Sequence, residues 1–280
     1  MSNQFGNAEI TAYCHELRAQ ERSAATVEKY VHTLRAFAAW LPEGKVVDKQ
    51  TAMDYKAQLS VNYAPASVNV MLAALNGFFR YMGWQNCCLK PLHIQRRVFA
   101  SREKELTRAE YERLVAAAER RRNSRLSLLL QLMAATGIRV SEVHAVTAEA
   151  VQAGKAVISL KGKVRTILLP GKLCRKLLKY AKAEKIASGE LFLTRSGRPL
   201  NRKEIWAQLK RLCRAAGVAP EKVFPHNLRH LFARVFYAAQ KDIAKLADLL
   251  GHSSVETTRI YLITTGEEHM QALDQLRLVC

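Results

Sequence analysis

The chain is short of acid. Its 280 residues hold 24 Asp and Glu against 44 Lys and Arg, a formal net charge of +20, and an excess of that size favours a polyanion such as nucleic acid over a neutral small substrate. Long apolar runs are missing too. The most hydrophobic stretch, L-S-L-L-L-Q-L-M-A-A from Leu126, is about half of the ~20 residues a bilayer span needs, so no membrane partner is expected. No basic segment followed by an apolar core and a cleavage site opens the chain. The six cysteines, Cys14, Cys87, Cys88, Cys174, Cys213 and Cys280, include no C-x-x-C pair, and the adjacent pair is awkward to bridge, which predicts reduced thiols in a cytosolic setting. Neither a nucleoside triphosphate motif nor a metal cluster is found, so no cofactor and no metal are expected. His226 and His230 stand four apart, as two zinc ligands on a helix would. A third ligand of the proper kind is lacking, and Arg229 between them would repel a cation.

What is present is a globular composition, 49% hydrophobic, with its charge unevenly spread. Residues 1–100 carry 11 basic and 7 acidic side chains, so +16 of the +20 falls on residues 101–280. Apolar residues recur at three and four over residues 8–40 (Ile10, Tyr13, Leu17, then Val27, Tyr30, Leu34, Phe37), with a break at Ser23, and again over 51–59 and 66–82. The spacing predicts a small helical bundle over residues 1–90. Pro91 and the basic, aperiodic run after it predict a linker over 91–105, and Thr107 with Glu110 has the spacing of a capping box at the start of a second domain, 106–280.

In that second domain the run from Leu126 predicts a core helix ended by Gly137. Residues 156–160 and 165–169 are β-type and flank Lys161-Gly-Lys-Val164, a hairpin turn with Gly162 supplying positive φ. Helices are predicted over 173–187, over 202–216 behind Asn201, and over 242–250 before Gly251. Arg120, Arg121, Arg122 and Arg125 fit either a solvated helix end or a phosphate-contacting patch.

Chemistry concentrates in two stretches. P-H-N-L-R-H (225–230) and L-G-H-S-S-V-E-T-T-R-I-Y (250–261) gather His226, Arg229, His252 and Tyr261, and A-T-G-I-R-V-S-E (135–142) adds Arg139 and Glu142. Preset guanidinium and imidazole donors suit the charge of a phosphate in transfer, and a phenol can be the nucleophile. Each residue alone has a plainer reading: Arg139 as an ion-pair partner of Glu142, Tyr261 as a half-buried core tyrosine.

These blocks, in this order, resemble the tyrosine recombinases of the phage-integrase type, with specific motifs from about residue 105 onward and by pattern alone before it. The resemblance implies a mainly α fold with a small β-sheet in the catalytic domain, and two domains forming a C-shaped clamp on DNA. It implies catalytic arginines at Arg139 and Arg229, histidines at His226 and His252, the nucleophile at Tyr261, and Glu142 supporting Arg139. The family's catalytic lysine falls on the hairpin turn, where Lys161, directly after the first strand and before Gly162, matches best and Lys163 is the alternative because the turn is short.

Arg195, Arg198, Arg202, Lys203, Lys210 and Lys163 are the expected DNA contacts. The implied activity is site-specific cleavage and rejoining of DNA through a 3′-phosphotyrosyl link and a Holliday junction. Its partners are double-stranded recombination sites, a homotetramer on paired sites, in which a terminal helix at 267–278 docks on a neighbour, and accessory DNA-bending proteins. The expected setting is the bacterial cytoplasm at the nucleoid. A type IB topoisomerase and a catalytically silent DNA-binding regulator are the alternatives; the compact bundle speaks against the first and the full residue set against the second.

Overall fold

Apolar spacing and N-terminal caps build four helices in the first of two units, Met1–Arg96 and Arg97–Cys280. The structure, a computed structural model, describes residues 5–42, 46–94, 104–160, 163–261, 270 and 274–275. Helices α1 (Asn7–Ala19) and α2 (Ala24–Trp40) are separated at Ser23, whose hydroxyl accepts the Thr26 N–H. Helix α3 (Lys49–Asn62) is longer than its apolar spacing suggests, because the Asp48 carboxylate accepts the Thr51 N–H at 2.7 Å and adds a polar first turn. Helix α4 (Pro65–Tyr81) starts on a proline whose missing N–H costs nothing there.

Aromatic rings fill this core. Phe78 meets Phe5, Tyr13 and Trp84 edge-on at 5.0, 5.5 and 5.8 Å between centroids, and Phe37 lies 4.8 Å from Tyr55. Two asparagines on α4 then fasten the departing chain. Asn76 donates to the Leu89 carbonyl and accepts the Leu89 N–H, both at 2.8 Å, and Asn69 does the same with Leu92 at 2.9 and 2.7 Å. Each amide satisfies both backbone groups of one residue, so the segment leaves in a fixed direction without a sheet partner.

The second unit opens on α5 (Arg108–Arg120), capped by the Thr107–Glu110 box that the sequence predicts. Helix α6 (Ser124–Thr136) is buried along most of its faces and ends where Gly137 turns left-handed at φ 62°. A side chain at Gly137 would come within 2.6 Å of Phe232 and 2.9 Å of Leu250, so glycine serves both the turn and a close approach. A 3₁₀ segment (Val140–Ala145) and the short α7 (Ala148–Gln152), capped by Thr147, lead into the sheet.

Strands β1 (Lys155–Leu160) and β2 (Lys163–Leu168) pair antiparallel from Lys155 opposite Leu168 to Leu160 opposite Lys163. Pairing therefore closes on a two-residue loop. Lys163, expected in the turn, is the first residue of β2, because hairpins of this kind need only two connecting residues. Lys161 and Gly162, like most of the linker and most of the terminal segment 267–278, lie outside the described residues.

Helix α8 (Gly171–Ala183) begins and ends earlier than its sequence pattern suggests; Lys185 takes positive φ just beyond it. Helix α9 (Arg202–Ala216) carries its own capping box, Asn201 with Glu204. Its carboxyl end attracts cations from α5. Arg113 donates to the Ala216 carbonyl at 3.2 Å, and Arg120 and Arg121 donate to the Ala215 and Arg211 carbonyls, each at 3.5 Å. Arg125 donates to the Leu193 carbonyl. Those bonds give Arg120, Arg121 and Arg125 structural work within the unit, where the sequence left a solvated helix end and a phosphate patch equally open. Helices α10 (Pro225–Gln240), α11 (Ile243–Leu250) and α12 (Val255–Arg259) complete the unit, α10 packing on α6 and α11. Among the described residues no helix is long and apolar enough to cross a membrane.

Candidate active site

Three chain breaks in regular structure converge on one side of α10. With Pro225 at its first position, α10 places His226, Arg229 and His230 on one face by helical spacing. The end of α6 delivers Arg139, and the end of α11 delivers His252 just after Gly251, which turns at φ 63°. Helix α12 then returns the chain so that Tyr261 reaches the same place.

Arg229 is the hub. Its side chain is 1% exposed, the largest fully buried one among the described residues. Nη1 donates to the Gly137 carbonyl at 2.6 Å, Nη2 donates to the Leu250 carbonyl at 2.8 Å and lies 2.8 Å from His252 Nε2, and Nε donates to the Tyr261 hydroxyl at 3.3 Å. Both carbonyls are freed by glycine-ended helices, so two helix termini hold the cation with the negative ends of their dipoles. Burial, then Arg139 beside it, lowers its proton affinity, and the Tyr261 contact opposes the change.

The His252 tautomer follows from its partners. A guanidinium has no acceptor, so Nε2 must accept from Arg229, and the ring proton sits on Nδ1, 2.8 Å from the hydroxyl of fully buried Thr258. Burial first, then Arg229, Arg139 and Arg165, push His252 down to about 4. His230 is also pushed to about 4, by burial and then by His226 and Arg234, and its ring meets Tyr261 at 4.4 Å. His226 keeps an exposed edge and is lowered less, by partial burial and then Arg229 and Arg139. Its ring lies 5.7 Å from that of Tyr261. The phenol is 4% exposed, stacked on His252 with planes 9° apart.

Arg139 remains partly open, with 41% of its side chain exposed. Glu142, 2% exposed, accepts its backbone N–H at 2.8 Å and its Nη1 at 3.0 Å. The same carboxylate pairs with Arg165 of β2, which the sequence analysis did not single out. Arg165 also donates to the Leu250 carbonyl, the one Arg229 uses. Thr258 and His230 were likewise missed as site residues. Strand alternation did not single out Arg165: Ile167 and Leu169 share its side and are buried, but Val164 and Leu168 on the other side are apolar as well.

Of the expected DNA contacts, Arg195 and Arg198 stand exposed on the turn before α9, and Arg202 and Lys203 are exposed in its first turn. Trp206, one turn on, is half exposed. Lys210 donates to the Pro220 carbonyl and lies 5.0 Å over the Trp206 ring, so it is already engaged within the unit. In the first unit, Arg18, Arg22, Lys29, His32 and Arg35 line an open cleft of about 920 Å³ along α1 and α2. No group of three or more His, Cys, Asp or Glu is gathered for a metal among the described residues.

An acid-stability test follows from the two depressed histidines. Their folded values near 4 lie below the unfolded value of about 6.5, so between those limits the unfolded chain binds protons that the folded chain refuses. Stability is therefore expected to fall as pH drops from about 6.5 toward 4. Thermal unfolding at pH 7 and pH 5 measures it: the midpoint should drop, and drop less in His230→Asn. Equal drops in the two proteins would contradict the buried neutral state of His230.

Two guanidiniums, an accessible imidazole and a buried phenol are thus gathered in one place, the groups that a covalent phosphoryl transfer of the tyrosine type requires. The Phage integrase family pattern matches residues 104–268, and its N-terminal SAM-like domain matches residues 10–86. The chain belongs to the phage integrase family and so to the tyrosine recombinases, a class of DNA strand transferases. It is 30% identical over 268 residues to tyrosine recombinase XerA of Thermococcus kodakarensis, covering 92% of this chain and 91% of that one. It is 31% identical over 273 residues to XerD of Xanthomonas campestris pv. campestris, covering 89% and 84%. Its fold is similar to a lambda integrase tetramer bound to a Holliday junction (TM-score 0.74, 19% identity, 93% of this chain and 78% of that one). It is also similar to XerH bound to its difH substrate before cleavage (0.68, 20%, 95% and 84%).

Proposed function

We propose that Tyr261 Oη attacks a scissile phosphodiester, forming a 3′-phosphotyrosyl bond as the P–O5′ bond breaks, and that the 5′-hydroxyl of a second strand later reverses the step to complete an exchange. The bond energy stays in the enzyme link, so ligation needs no triphosphate. Arg139 and Arg229 hold the nonbridging oxygens, joined by His252 when its ring proton moves from Nδ1 to Nε2 and Nε2 parts from Arg229, while Glu142 orients Arg139. Lys161 protonates the leaving 5′-oxygen. His226, closer to its ordinary proton affinity than His230 or His252 and open on one edge, takes the phenolic proton.

The observation that carries this reading is the direct contact of Arg229 with both Tyr261 and His252. Arg195, Arg198, Arg202 and Lys203 contact duplex phosphates and base edges, with Lys163 and Lys210 as further contacts. The domain of residues 1–90 adds a second DNA contact through the cleft lined by Arg18 and Arg35. Recombination then proceeds in a tetramer on two paired sites in the cytoplasm, coupled through segment 267–278, as relatives with named tetramer and junction complexes suggest.

The test uses a duplex selected from a randomised pool by binding to this protein. On a nicked form of that duplex a covalent adduct is expected, and on two intact copies a Holliday junction is expected. Relaxation of supercoiled plasmid with no junction product would sink the recombinase reading in favour of a topoisomerase, and binding with no adduct would leave only a regulator.

A further inference from the structure

Arg165 has no role in the mechanism above, yet few side chains in the unit are committed to more of the site. Its Nη2 pairs with Glu142 Oε2, while Glu142 Oε1 holds Arg139 Nη1 at 3.0 Å. Its Nη1 donates to the Leu250 carbonyl, which also accepts Arg229 Nη2 at 2.8 Å. One guanidinium thus touches the acceptor of each phosphate-facing arginine. We propose that Arg165 is a positioning residue: from β2 it fixes the acceptors of Arg139 and Arg229 at a set separation and ties the hairpin to both. The proposal rests on the reading that those two arginines hold the phosphate.

Its surroundings fit that task better than they fit an ordinary ion pair. Exposed pairs are worth little, but here Glu142 is 2% and Arg165 16% exposed, so the contact is not a surface accident. Gly251 is shaped around it. A Cβ there would lie 2.5 Å from Arg165 Cδ and 2.6 Å from Nη1, so the α11 terminus leaves room for this side chain. The Nε of Arg165 is buried with no hydrogen-bond partner, a cost accepted when the other two nitrogens are spent on Glu142 and Leu250. Burial lowers its proton affinity, and Glu142 opposes the change. Arg139 and Arg165 share the one carboxylate of Glu142, and Arg229 is held by backbone carbonyls rather than by an acid, so the cluster carries excess positive charge suited to an anion. A lysine would not substitute. Its ammonium is a point charge, whereas the planar fork reaches a carboxylate on one side and a carbonyl on the other.

The test compares Arg165→Gln, Arg165→Lys, Glu142→Gln and the double variant Arg165→Gln/Glu142→Gln for the rate of covalent adduct formation on the nicked duplex, with duplex affinity and thermal midpoint alongside. Groups that orient a reacting side chain typically cost about 10–100-fold when lost. Each single Gln variant should therefore slow cleavage by about that factor, with duplex affinity within about threefold because no DNA contact is removed. Acting through a shared contact, the double variant should be no more than about threefold slower than the slower single variant. Arg165→Lys should keep the fold and still cleave slowly, which separates geometry from charge and stands in if the Gln variant does not fold. Multiplicative losses in the double variant, or normal cleavage by Arg165→Lys, would overturn the proposal. Arg139→Ala runs in parallel: if it cleaves normally, the reading beneath the proposal has failed, and otherwise the result bears on Arg165 alone.

Discussion

Arg229→Ala is expected to lose cleavage and stability together. Removing one preset donor to a developing oxyanion costs about 10²–10³ in rate, and Arg229 is also the only side chain that touches the Gly137 carbonyl, the Leu250 carbonyl, His252 and Tyr261 at once among the described hydrogen bonds. Truncation leaves the buried Gly137 carbonyl and the His252 Nε2 without their donor, each worth roughly 1–3 kcal/mol when unsatisfied and partly offset by relief from burying a charge, while the Leu250 carbonyl keeps Arg165. A net loss on the order of 3 kcal/mol lowers the midpoint of a unit this size by roughly 6–12 °C. Arg229→Lys should recover part of the stability and little of the rate, since one ammonium cannot span acceptors on opposite sides of a planar fork. Adduct formation and thermal unfolding measured on both variants decide this. A stable Arg229→Ala protein that cleaves within about tenfold of normal would contradict both the structural and the chemical role given to it.

How much of this was legible beforehand depends on what kind of object each part is. The side chains of P-H-N-L-R-H and of the segment ending at Tyr261 could be read because their spacing survives folding: α10 puts positions 226, 229 and 230 on one face, and Gly251 ends α11 just before His252. Helix caps were readable for the same reason, as Thr107 and Asn201 act within three residues of themselves. Backbone partners were not. Nothing in the letters says that the carbonyls of Gly137 and Leu250 point at one guanidinium, since both are consequences of where two helices stop. Arg165 shows the limit of pattern. It lies on the buried side of β2 with Ile167, but Val164 and Leu168 on the other side are apolar and exposed, so alternation gave no clear inward face. Lys210 shows the converse: its basic character suggested DNA, and nothing in the letters says that its ammonium also meets the Pro220 carbonyl and the Trp206 ring.

Tyr261→Phe should abolish the covalent adduct while leaving the fold and duplex affinity nearly unchanged, and the reason lies in how little else the hydroxyl does. Its hydrogen bond to Arg229 Nε is 3.3 Å long, the weakest of that side chain's contacts by distance, and Arg229 keeps its other acceptors when the oxygen is gone. The ring stays. It is 4% exposed, stacked on His252 and set edge-on against His230, and phenylalanine preserves those contacts. Losing one long hydrogen bond costs about 0.5–1.5 kcal/mol, so the thermal midpoint should move by only a few degrees. No charge is removed from the duplex-facing surface, so affinity should hold within about twofold and its salt dependence should not change. Chemistry, by contrast, has no substitute atom: the new P–O bond must be made by an oxygen, and none of the buried hydroxyls described is exchangeable with it, since Thr258 is fully buried behind His252. The measurement is adduct formation on the nicked duplex by denaturing gel, with affinity and unfolding run on the same preparation. An adduct from the phenylalanine variant would mean that another side chain is the nucleophile, and a variant that loses duplex affinity would mean that the hydroxyl holds the DNA surface in shape.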